Sequence, residues 1–146
     1  MTRLVALSAL LAIFFSAGAC QTYTSSLQHS VERANETAAL ALIRNIGIAE
    51  RTYNLSNVGE YATLQQLVDG GFLDPRYAAE KPLKDYVVTL TVTPKNANEP
   101  TGSFSCNADP DKTGDRIGRH FYIDSSSDGI HVNDTQPASA ADKVME

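Results

Sequence analysis

Clustered positive charge, long apolar runs and cysteine are all scarce in this chain of 146 residues. Its 12 Lys and Arg are scattered against 17 Asp and Glu, for a net charge of −5. Binding a phosphate backbone needs concentrated positive charge, so nucleic acid is excluded as the expected partner. The apolar run Leu4–Ala19 falls short of the roughly 20 residues that span a bilayer and ends in small residues. Glycine-rich phosphate loops are missing, as is any HExxH-like pattern. Ser125-Ser126-Ser127 has no elbow glycines around it and reads as a turn. With no internal repeat and no such motif, the expectation is a protein without catalytic activity and without a cofactor.

What is present suits one ordinary domain. Hydrophobic residues make up 42% and charged residues 20%, the balance of a foldable chain. Arg3 gives a short positive start, Leu4 to Phe15 an uncharged stretch, and Ala17-Gly18-Ala19 a small-residue close. That is the three-part layout of a secretory signal, removed over residues 1–19. Its loss takes away only Arg3 and leaves the chain more acidic. Residues 20–26 then read as a polar tether, 27–136 as the globular domain and 137–146 as a small, polar, flexible tail.

The longest periodic segment runs from about Ser26 to Asn54. Val31, Ala34, Ala38, Leu42, Ala49 and Tyr53, with Ile46 beside them, recur at three- and four-residue spacing and define one helical face. Glu32, Arg33, Glu36, Arg44 and Arg51 occupy the other. Thr63 and Gln66 form a capping box for a short helix that Gly70-Gly71 stop. Tyr86 opens the clearest strand, rich in β-branched residues, and 102–110 gives a second. Residues 119–124 and 130–132 give a third and fourth, joined by Ser125–Gly129. Pairing Ile123 with Ile130 and Phe121 with Val132 puts four apolar side chains on one face, and His120, Tyr122, Asp124 and His131 on a wet one. The fold class is therefore α+β: a long N-terminal helix on an antiparallel β-meander of about four strands.

Ala17-Gly18-Ala19-Cys20 resembles the lipobox of bacterial lipoproteins, with Ala17 standing where leucine is usual. That resemblance implies a lipid on the Cys20 sulfur and an anchor in the membrane. The same letters satisfy ordinary signal peptidase, after which a Cys20–Cys106 bridge is open in an oxidising compartment. Both routes lead to the periplasm or outer membrane. Residues 34–53, 59–74, 86–92 and 113–133 together resemble the globular half of type IV pilins and type II secretion pseudopilins. The resemblance implies a pilin-like fold and partners among envelope, pilus or secretion proteins. The apolar run departs from that family: it has no glutamate and no cut-site glycine before an aromatic residue. An accessory role is expected rather than that of a standard filament subunit. The alternatives are a minor pilin or pseudopilin with a divergent start, and a calcium- or ligand-binding envelope module.

Two constellations remain. Asp109, Asp111, Thr113 and Asp115 alternate as in a calcium loop, since hard cations take several oxygens, but the twelfth position holds His120 rather than an acid. An ordinary acidic turn is the plainer reading. His120, His131 and Asp124 on one face invite a metal or acid–base reading, although exposed strand histidines are usually only exposed. Cys106, on a strand, is expected as a buried inert thiol or a bridge partner. Tyr53, Tyr61, Phe72 and Tyr77, around Asp69-Gly70-Gly71, are expected in the core.

Overall fold

A 55-residue helix dominates the computed structural model, which describes residues 2–79, 82–97, 100–111 and 118–145, with side chains from residue 27 onward except residue 28. Helix α1 (Thr2–Ser56) carries helical backbone through residues 20–26, where a tether was expected. The chain divides into two compact units, Met1–Ala34 and Asn35–Glu146. In the first, His29 Nδ1 lies 3.2 Å from Glu32 one helical turn on. The Cys20 side chain falls outside the described residues. Among the described residues, no helix is long and apolar enough to cross a membrane.

The second unit holds the fold. Its part of α1 buries Ala39, Leu42, Ile43, Ile46 and Ala49. The expected stripe was right at Leu42, Ile46 and Ala49 but wrong in phase at its start: Ala38 is exposed and Ala39 is buried. Three- and four-residue steps from Ala38 and from Ala39 are both regular, and only the partner surface chooses between them. Gly47 faces the sheet at close range. A Cβ there would come within 2.8 Å of Ile123 Cδ1, so a bare backbone lets α1 settle onto the strands. After Ser56 the chain turns through Val58 and Gly59, at φ 53° and 85°.

Helix α2 (Leu64–Asp69) follows with the capping chemistry read from its sequence. Thr63 Oγ1 accepts from Gln66 N, and Gln66 Oε1 accepts from Thr63 N at 2.9 Å. Gly70 caps its C-terminus, and Gly71 takes the left-handed backbone (φ 73°) that favours glycine. A short 3₁₀ turn at Pro75–Ala78 leads toward the sheet.

The sheet corrects the expected strand count. Among the described residues it has five antiparallel strands in the order β1-β2-β3-β4-β5, where about four were expected. Strands β1 (Tyr86–Thr93), β2 (Ser103–Pro110) and β3 (His120–Asp124) lie where the period-two pattern put them. Strand β4 (Ser127–Asn133) begins earlier than expected, leaving only Ser125 and Ser126 between it and β3. Phe121 pairs with Val132 as anticipated, and the register shifts between Tyr122 and Asp124 to admit that tight turn. The fifth strand, β5 (Lys143–Val144), comes from the segment expected to be a flexible tail and pairs with His131 and Val132. Its two residues carry no alternation long enough to be read as a strand.

Phe104, Cys106, Ala108, Phe121, Ile123 and Ile130 point from the inner face into one cluster with the α1 residues. Each such buried aliphatic or aromatic side chain contributes about 1.5–3 kcal/mol. Polar clamps fix the helix at both ends of the sheet. Glu36 accepts from Arg119 Nε, Nη2 and backbone N at 3.0–3.4 Å. Arg51 donates to the carbonyls of Asp124 and Ser127 and pairs with Asp128 at 2.7 Å. Both residues were assigned to the helix's solvent side, and both reach around it to the strands. Asn35 donates to Asp85 just before β1.

Candidate functional site

Side chains at alternate positions of β1–β4 form the outer face of the sheet, opposite the core. Its expected wetness is overturned at the centre: His120, Asp124 and His131 are only 8%, 8% and 7% exposed. The C-terminal segment supplies one reason. Ala138 is buried and its carbonyl accepts from Asn107 Nδ2 at 2.9 Å. Asp142 accepts from Asn133 Nδ2 at 2.7 Å and from Ser139 N and Oγ at 2.8 and 2.9 Å. Those donors, Asn133 first, hold the Asp142 carboxyl below its ordinary range.

The ionisable groups here are spent on neighbours within the fold. His120 Nδ1 meets Asp109 Oδ1 at 2.6 Å. His131 Nδ1 lies 2.8 Å from the Asp142 carbonyl, which only accepts, so that nitrogen carries the proton. The His131 ring meets Tyr122 edge to face at 6.0 Å. Tyr122 in turn donates to Asp124 Oδ2 at 2.9 Å, while Ser126 N and Oγ donate to Asp124 Oδ1 at 2.8 and 2.7 Å. Burial acts to raise the Asp124 carboxyl, but the Ser126, Tyr122 and Ser127 donors outweigh it and hold it below its ordinary value. Burial and the Asp124 bond push the Tyr122 phenol up to about 12. This arrangement fixes the side chains through bonds to one another.

A groove of about 280 Å³ opens beside this network. Its walls are hydroxyls from three adjacent strands, chiefly Thr91, Thr93, Ser103, Ser105 and Tyr122, with Asp124 and Ser126 at one end. The β-branched threonines are there because β1 needs them as a strand former, and the period of two aims them all outward. Such a surface offers donors and acceptors around one fixed negative charge.

The other expected sites fare differently. Asp109 is taken up by His120, and Thr113 and Asp115 lie outside the described residues. Among the described residues, no group of three or more His, Cys, Asp or Glu is placed to hold a metal. Cys106 is wholly buried with a free thiol, which burial and the charges of Glu50 and Asp109 push up to about 12, far from reactive. Tyr53 meets Phe72 edge to face at 5.4 Å, and Tyr61 packs on Phe104 at 5.1 Å, as core residues.

Glu50 is the residue the sequence reading passed over. It has no exposed surface, and burial pushes its carboxyl up to about 7 against the partial relief of one bond, Ala62 N to Oε2 at 2.9 Å. Its Oε1 has no hydrogen-bond partner among the described residues. The signal was present: Glu50 follows Ile43 and Ile46 at the spacing of the buried stripe. Being enclosed, it ties α1 to the loop before α2 rather than serving a substrate. Compared with known protein families, curated proteins and solved structures, the chain matches none.

Proposed function

We propose that this chain is a non-enzymatic, exported, pilin-like envelope protein, lipid-anchored at Cys20, that acts as a binding or accessory component of a type IV pilus or type II secretion-like assembly. The order of its elements supports the pilin likeness, and the layout of residues 1–20 supports export. The observation that carries the reading is the outer face. Its histidines and Asp124 are committed to internal partners around a hydroxyl-lined groove, an arrangement for recognition rather than turnover. Filling the groove with Ser105→Arg is expected to abolish recovery of envelope partners with the purified protein while its Tm holds. Equal recovery would overturn the assignment of this face.

One observation favours a second reading, a minor pilin or pseudopilin that retains residues 1–19: the helical backbone of α1 runs through residues 20–26. Mass spectrometry of the mature N-terminus separates the two. An acylated Cys20 supports the anchored form, and an end at or near Met1 supports retention.

A further inference from the structure

Among the described residues, strand β1 is an edge of the sheet, and its backbone polarity follows residue by residue. The Phe104 carbonyl accepts from Ser125 N, so Phe104, Cys106 and Ala108 of β2 turn their backbone groups toward β3. Ser105, Asn107 and Asp109 therefore turn theirs toward β1, where they meet Thr91, Thr89 and Val87. The Asp111 N to Asp85 carbonyl bond at 2.9 Å continues that ladder at the same parity. Val88, Leu90 and Val92 are left with N–H and C=O directed away from the sheet, and among the described residues no hydrogen bond reaches them.

Edges of this kind are ordinarily protected by proline, charge, a bulge or brevity. Tyr86–Thr93 has none of these: it is eight residues long, uncharged and registered with β2 without a break. We infer that β1 is a docking edge for a second copy of this chain, paired antiparallel about a two-fold axis through Leu90. Only the outward-turned residues can bond across the new junction, which limits pairing to registers two residues apart, and the charges flanking β1 select one of them. Leu90 faces Leu90, Val88 faces Val92, and on the other surface Thr89 faces Thr91.

The flanks carry the argument for a copy over an unrelated strand. The same register places Asp85 opposite the partner's Lys95 at both ends, so a negative and a positive residue meet twice. Asp85 already bonds Asn35, and Lys95 pairs with Glu60 at 3.2 Å, so the intersubunit pairs share or exchange these internal partners. A one-residue slip would turn bonded groups toward unbonded ones, and a two-residue slip would lose the charge match. A continuous sheet across two subunits is an isologous interface, the commonest closed form. It extends the groove-bearing face and does not depend on what the groove binds.

The test is sedimentation-velocity ultracentrifugation of the full chain over a concentration series, with amide hydrogen exchange read at Val88, Leu90 and Val92. A monomer–dimer equilibrium is expected, with protection of those three amides rising with concentration. Leu90→Pro removes an outward N–H without touching the β1–β2 ladder and should raise the dissociation constant about 10- to 30-fold. Asp85→Lys should weaken the dimer, and Asp85→Lys with Lys95→Asp should restore it. A monomer at every concentration overturns the proposal. So does association that leaves the three amides unprotected, or a double variant no better than Asp85→Lys. Since exchange is read on the wild-type chain, a misfolded variant does not blunt the test.

Discussion

The two faces of the sheet are built from the same strands and stabilised by different physics. The inner face is dry and apolar, and its worth lies in contact with α1. The outer face is only half covered and is held by directed bonds among His120, Asp109, Tyr122, Asp124, Ser126 and the C-terminal segment. Burial is non-directional and tolerates reshaping, whereas a hydrogen-bonded network keeps its geometry or loses its value. The inner face therefore sets whether the protein folds, and the outer face sets what shape it presents. Changes on the two faces should separate stability from binding.

The widest separation is expected from Ile46→Ala, which empties space between α1 and the strands. It should cost about 2–5 kcal/mol in denaturant unfolding, while Thr89→Ser on the outer face stays within about 0.5 kcal/mol. Next comes Glu50, an ionisable side chain buried on the inner side. Glu50 has its folded pKa raised from 4.5 to about 7, so the native state holds a proton that the unfolded chain releases. Stability should then fall as pH rises from 4.5 to 7 and level off above, by on the order of 3 kcal/mol. Glu50→Gln should flatten that slope in urea titrations at several pH values, and a slope surviving the substitution would assign it elsewhere.

Asp124 runs with the opposite sign. Its folded pKa lies below the ordinary 3.8, so its stabilisation is present above that pH and lost as pH falls through the folded value. Asp124→Ala should cost about 1–2 kcal/mol at pH 7, because Tyr122 and Ser126 lose their acceptor. The smallest effect is expected away from both faces. Val58 is β-branched, exposed and at φ 53°, so Val58→Gly should raise stability by about 0.5–1 kcal/mol in thermal melts.

The same division explains what the sequence disclosed. The limits of β1 and β2, the capping box of α2 and the Phe121–Val132 pair all rest on local chemistry, a period of two or a three-residue reach. The inner face was legible wherever apolar spacing alone decided it. Errors gathered where distant segments meet. Glu50 is buried because a loop twelve residues on closes over it. His131 loses its water partly to Asp142 and to β5, which pairs beside it. Arg51 and Glu36 looked like solvent charges because the strands they clamp lie some 70–80 positions away. The groove was hidden because threonine and serine at alternating positions describe any strand, and only pairing sets the hydroxyls of three strands around one opening.

Photo-crosslinking in the cell envelope tests the central claim, that the outer face is the recognition surface, most directly. A photoreactive residue at Thr93, in the groove, is compared with one at Leu55, exposed at the end of α1. The account predicts a discrete adduct with a pilus or secretion component from Thr93, lost when Ser105→Arg fills the groove, and none from Leu55. Adducts from Leu55 alone, or a Thr93 adduct indifferent to Ser105→Arg, would contradict it.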